Sequence, residues 1–204
     1  MRHRFALVAL LAVLAALVLA AAGCAGDASS GQAAAPATTA AAPAAAGPPA
    51  THTETIRHAP KGLVPTGRRE PAPGLRVTAF DGREIDLAQW KGQLVVVNFF
   101  ESWCVVCRAE QDALTEVSRR FEHQVRFVGV SNHDTVSEGR KYQRDFEIHY
   151  PLANDSSGRT WAAWRVPYQP VTVVVDRHGR VAWRFDGGLA PGQLDPVLEY
   201  VVEV

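Results

Sequence analysis

Large apolar side chains fall into regular patterns only after Pro71. Before it stand an apolar N-terminal run and then a stretch of Ala, Pro, Thr, Gly and Ser. In the patterned part, residues 75–80 and 83–87 flank Asp81-Gly82 and predict a hairpin, because Asp-Gly supplies the positive φ angles of a tight turn. Residues 94–100 are unbroken apolar apart from Asn98, as in a central strand covered on both faces. Residues 104–121 have helical spacing, with Ala113, Leu114, Val117 and Phe121 toward the core. Residues 125–130 predict another buried strand, 135–146 a polar helix and 158–164 a short one. Residues 171–175 predict a strand, 180–185 its hairpin partner after His178-Gly179, and 193–202 a closing helix. Strand, helix, strand requires a crossover and therefore a parallel pair, while the late hairpin adds an antiparallel edge. The predicted fold class is α/β: a central mixed sheet flanked by helices, with an N-terminal β-hairpin extension.

The N-terminus reads as an export signal. Arg2, His3 and Arg4 supply a positive end, residues 5–22 are uncharged and apolar, and Ala21-Ala22-Gly23-Cys24 follows. Small residues before a cysteine resemble the bacterial lipobox, in which the signal is cut before the cysteine and its thiol carries a diacylglycerol. Ala21 departs from the leucine preferred there. The competing reading is an uncleaved signal anchor, since about 18 apolar residues approach spanning length. Both readings keep the arginines inside and the rest outside, in a compartment that permits disulfides. Residues 25–50 hold too few large apolar side chains to offset the entropy of ordering. Residues 51–70, basic and mixed, are read as more of the same linker, whose roughly 45 residues reach about 35–40 Å as a flexible coil. The expected division is 1–23 signal peptide or signal anchor, 24–70 lipid-anchored Ala/Pro linker, and 71–204 one folded domain, a length sufficient for a single core.

Lys plus Arg and Asp plus Glu both total 21, so no long-range field attracts a phosphate backbone, and nucleic acid is excluded as a partner. There are three cysteines, and an odd count gives one of them, Cys24, a separate task. The other two lie in Trp103-Cys104-Val105-Val106-Cys107, where the central strand hands over to the first long helix. A thiol at a helix N-terminus feels the positive end of the dipole and unpaired amides, which lower its pKa. Two intervening residues bring the second thiol one turn on, within bonding reach of the first. Cys104 is the expected exposed nucleophile and Cys107 the buried resolving thiol. The competing readings are an inert disulfide and half a zinc site. Zinc needs two more ligands, and no other cysteine lies in the mature fold, so neither a metal nor any cofactor beyond the Cys104–Cys107 pair is expected. Trp103 either shields the pair or packs against it.

With these residues in view, the chain from Pro71 onward resembles the TlpA/ResA/DsbE-like extracytoplasmic thioredoxins of the AhpC/TSA-thioredoxin superfamily. The resemblance is carried by Val97-Asn98-Phe99-Phe100, then Ser102-Trp103-Cys104-x-x-Cys107-Arg108-x-Glu110, then Pro170 and Asp176-x-x-Gly179. It implies a thioredoxin fold and a thiol-disulfide oxidoreductase. It further implies a cis proline at Pro170, which frees the backbone of Gln169 to pair with an extended substrate. Val106, Glu101 and Asp112 depart from the family pattern, in which a proline, a small residue and a proline are common. Asn98 stands where cytoplasmic thioredoxins keep a buried aspartate, so another base is needed. Glu110, three residues after Cys107 on the same helix face, resembles the glutamate that ResA-like proteins hold near their cysteines, and a partly buried carboxylate there suits proton transfer with Cys107. Glu101 is read either as strand-end solvation or as a group that tunes the thiols.

The expected partners are exported protein thiols or disulfides and a membrane redox partner, met by a monomer held at the outer face of the cell membrane. The sequence Val166-Pro167-Tyr168-Gln169-Pro170 looks more like secreted actinobacterial DsbE-like proteins than ResA-like reductants, so the expected direction is oxidation. Reduction of apocytochrome c cysteines is the alternative. A thiol peroxidase is disfavoured because Cys104 occupies the place of the threonine that peroxidases of this superfamily carry three residues before the cysteine. Cu(I) delivery, with His133 or His149 as third ligand, is disfavoured by two rather than three residues between the cysteines.

Overall fold

The strand that carries the site has a sequence that permits no exposed face. All six residues of β3 (Leu94–Phe99) are buried in the computed structural model, which describes residues 58–204. The expected export signal, Cys24 and the chain up to residue 57 lie outside the described residues. The period of two sends Val95, Val97 and Phe99 to one face of the sheet and Leu94, Val96 and Asn98 to the other.

Around β3 the described residues form a seven-stranded sheet in the order β2-β1-β5-β4-β3-β6-β7. The flanking strands are β1 (Arg76–Ala79), β2 (Glu84–Asp86), β4 (Val125–Ser131), β5 (Leu152–Asn154), β6 (Val171–Val175) and β7 (Val181–Asp186). β4 runs parallel to both β3 and β5, and every other pairing is antiparallel. The helices are α1 (Val105–Arg120), α2 (Val136–Asp145), α3 (Arg159–Ala163) and α4 (Asp195–Glu203). Leu114 and Val117 of α1, Tyr142 of α2, and Val197, Leu198 and Val201 of α4 pack with Leu94 and Val96 on one face. Trp161 and Trp164 cover Val97 and Phe99 on the other. This is the predicted thioredoxin layout with its N-terminal hairpin.

Three features differ from the sequence expectation. Of the pair Asp81-Gly82, only Gly82 takes a positive φ, and the Asp81 carboxylate accepts instead from the backbone N–H and Nε of Arg83. β5 has no sequence signature, because three residues carry no alternation, and its pairing with β1 and β4 holds it in place. The expected boundary at Pro71 also falls too late. Val64 N–H donates to Ala182 O (2.8 Å), Val181 N–H to Glu70 O (2.9 Å) and Trp183 Nε1 to Lys61 O (3.1 Å), so residues 61–70 pack along the start of β7. Arg69 is the anchor, 3.0 Å from Asp176 in a buried ion pair 107 residues apart in sequence. Burial opposes the Asp176 charge, but the Arg180 N–H, Arg69 and the His178 N–H outweigh it and hold the carboxyl below its usual range.

Candidate active site

The two cysteines sit where β3 ends and α1 begins. Cys104 is the N-cap of α1, in extended backbone geometry, and its Sγ accepts the Cys107 N–H at 3.1 Å. Cys104 and Cys107 form a disulfide with Cα atoms 5.2 Å apart. Cys104 is 7% exposed and Cys107 1%, so an incoming sulfur reaches Cys104 first.

Beneath the pair, Asn98 and Glu110 face one another across the interface of β3 and α1. Asn98 Nδ2 donates to Glu110 Oε1 (3.2 Å) and to Thr172 Oγ1 (3.0 Å), and Glu110 Oε2 accepts the Leu189 N–H at 2.6 Å. The Glu110 side chain is buried, and among the described residues it pairs with no cation. Burial pushes its pKa up to about 7, with the Leu189 N–H and the Asn98 amide pulling partly the other way. A carboxyl poised near neutrality, one turn after Cys107 on α1, can give or take a proton near pH 7.

The loop before β6 meets this site from the other side. The Gln169–Pro170 peptide bond is cis, and Val171 pairs with Phe99, the last residue of β3. Gly187 N–H donates to Pro170 O (2.9 Å), while Gly188 lies against Val106: a Cβ there would stand 2.5 Å from Val106 Cγ1. Glycine at 188 thus lets the 187–189 loop reach both the Cys-x-x-Cys turn and Glu110. Trp103 is 61% exposed. Apart from the terminal Val204, the exposed large apolar residues among those described are Trp103, Val105, Val106, Val136 and Tyr168, all on segments that border the disulfide.

Glu101 is neither solvated at a strand end nor turned toward the thiols. It is fully buried, and its carboxylate accepts from Ser131 Oγ (2.9 Å), Asn132 N (3.0 Å), His133 N (3.1 Å) and the His133 ring at Nδ1 (3.1 Å). Asp134 answers in the opposite direction, accepting the Ser102 N–H (2.9 Å) and hydroxyl (2.7 Å). Residues 101–102 and 131–134 are thereby cross-linked beside the Cys104 turn. Glu101 also offers its carbonyl to the Cys104 N–H (3.0 Å).

A second polar group under the site was not anticipated. The Tyr142 hydroxyl is 3.2 Å from both Cys107 O and Gln111 Oε1, and Gln111 Nε2 donates to Tyr150 OH at 2.8 Å. Burial raises the pKa of both tyrosines, so they stay neutral. The sequence signal was a glutamine one turn after Cys107 on the buried face of α1. Among the described residues, no three His, Cys, Asp or Glu side chains converge as a metal site.

The AhpC/TSA family profile matches residues 69–184. The thiol-disulfide oxidoreductase ResA of Bacillus thuringiensis is 24% identical over 131 residues, spanning 64% of this chain and 76% of that protein. The soluble secreted antigen MPT53 of Mycobacterium tuberculosis is 30% identical over 96 residues, 47% of this chain and 55% of that one. A secreted Mycobacterium tuberculosis disulfide oxidoreductase homologous to Escherichia coli DsbE superimposes with a TM-score of 0.56 at 25% identity, over 64% of this chain and 96% of its own.

Proposed function

The chain belongs to the AhpC/TSA family and is a thiol-disulfide oxidoreductase of the ResA/DsbE type, and from that premise we propose that it works outside the cytoplasm as an oxidant of exported protein thiols. The single observation that carries the direction is the Cys104 sulfur at the N-cap of α1, accepting the Cys107 amide. In the reduced protein that amide and the helix dipole stabilise a Cys104 thiolate, and stabilising the reduced form is what makes a disulfide oxidising. The relatives described as secreted, MPT53 and the DsbE homologue, support the location.

In this reading a substrate thiolate attacks Cys104 Sγ, and the electron pair of the Cys104–Cys107 bond leaves on Cys107, which takes a proton from Glu110. A second substrate thiolate then attacks the substrate sulfur of the mixed disulfide and expels Cys104 as the thiolate. Two substrate thiols become one disulfide, and the protein is left with a dithiol that a membrane redox partner reoxidises. Trp103, Gln169 and Pro170 receive the extended substrate, with the exposed Val105, Val106, Val136 and Tyr168 supplying an apolar rim. The protein acts as a monomer with no cofactor beyond its own disulfide. Cys24 carries the lipid, or the N-terminal apolar run is retained as the anchor.

The test is to equilibrate the Cys104–Cys107 pair with glutathione and to offer a reduced, unfolded protein as substrate. A potential above about −250 mV with oxidation of the substrate is expected. A potential below that value, near that of thioredoxin, with no oxidation overturns the direction and leaves reduction of apocytochrome cysteines.

A further inference from the structure

Glu101 takes no part in the exchange chemistry above, yet it is fully buried and meets no arginine or lysine among the described residues. Three of its donors have fixed roles: two backbone amides and the Ser131 hydroxyl. The fourth is the His133 ring, 3.1 Å away at Nδ1. An ionised carboxylate only accepts, so Nδ1 must carry the proton, and the basic lone pair of the neutral ring lies on Nε2. The ring is 68% exposed and Nε2 has no partner among the described residues. Glu101 is also the residue whose carbonyl holds the Cys104 N–H, so one residue links the oriented imidazole to the attacked cysteine. Among the described residues, Glu101 is the one titratable group bonded to the ring; Asp134, next in the chain, turns its carboxylate to Ser102.

We propose that His133 is the catalytic base for the incoming substrate thiol and that Glu101 is its positioning residue. The role rests on the disulfide-exchange reading and adds to it the step before attack. His133 Nε2 takes the proton of the substrate S–H, and the thiolate so formed attacks Cys104 Sγ. The Cys104–Cys107 bond breaks with its electron pair on Cys107. The imidazolium releases that proton to water, Nε2 then takes the proton of the second substrate S–H, and the thiolate so formed attacks the substrate sulfur of the mixed disulfide and expels Cys104 as the thiolate. No outside oxidant or reductant enters, because the protein disulfide takes both electrons.

The advantage has a ceiling set by the substrate. An ordinary thiol, with a pKa of about 8.5, is about 3% ionised at pH 7, so a base that removes its proton accelerates attack by at most about thirtyfold there and by almost nothing above pH 9. The experiment follows oxidation of a synthetic peptide with two cysteine thiols, from pH 6 to 9.5, by wild type, His133→Gln, His133→Ala and Glu101→Gln, with the glutathione equilibrium measured for each. His133→Gln and His133→Ala should be about tenfold slower at pH 7, converge on wild type near pH 9, and keep the wild-type equilibrium constant. Glu101→Gln should share the rate loss, and free imidazole should restore His133→Ala in proportion to its concentration. Equal rates for wild type and both His133 variants at pH 7 overturn the proposal, as does a rate deficit that is independent of pH and deaf to imidazole. A wild-type protein that exchanges with no thiol at any pH overturns the oxidoreductase reading instead.

Discussion

Two buried carboxylates flank the Cys-x-x-Cys turn, and they live in different surroundings. Glu101 meets four donors drawn from three consecutive residues, the last of β4 and the two that follow it. Glu110 meets two, the Leu189 amide and the Asn98 side chain, and its pKa is raised to about 7. Both are almost without solvent. Burial therefore does not by itself assign a role to a carboxylate; what counts is how many dipoles the fold turns toward it. The richly served one acts as a strut between β3 and the loop after β4. The sparsely served one is left able to exchange a proton.

The largest effect that would break this contrast is on stability. Glu101→Ala leaves the Ser131 hydroxyl and the Asn132 and His133 amides without their acceptor, and should cost about 3–5 kcal/mol in denaturant unfolding. A loss below about 1 kcal/mol would mean that the loop finds other acceptors and that Glu101 is no strut.

Next comes a difference in pH dependence. The Glu110 pKa is about 7 in the folded chain against an ordinary 4.5, so the folded state holds this proton more tightly than the unfolded one. Its contribution to stability is full below about pH 4.5 and is lost as pH rises through about 7, an effect on the order of 3 kcal/mol. Glu110→Gln, which has no proton to lose, should flatten the fall in unfolding free energy between pH 5 and 8. Parallel curves for the variant and wild type would remove Glu110 from the titrating groups.

The smallest effect sharpens the contrast on the strut side. Ser102→Ala removes one of the two bonds to Asp134 and keeps the backbone one, so thermal or denaturant unfolding should register about 1 kcal/mol. A loss as large as that of Glu101→Ala would move the centre of the cross-link from Glu101 to Asp134.

What the sequence revealed depended on the range over which each signal acts. β6 was legible to the residue, and β3, α1 and α2 to within a residue or two, because the apolar and polar patterns that mark them are local. The cysteine pair and Glu110 were legible by spacing along one helix. Glu101 was not, since its partners lie thirty residues away and the sequence cannot say which way a side chain turns at a strand end. The packing of residues 61–70 was missed for the same reason: polar, basic composition suggests a linker until Asp176 supplies the partner for Arg69.

That early segment gives the molecule a form of self-protection. A thiol-disulfide oxidoreductase that acts on other proteins meets extended polypeptides, and these would add themselves to any open sheet edge. The start of β7 is already occupied by the protein's own residues 64–72, and its end carries Arg184 and Asp186 paired to each other. The opposite edge, β2, is three residues long and bears Glu84 and Asp86. A client chain therefore finds little backbone to polymerise upon, and the loops around Cys104 are left as the place where it can stop.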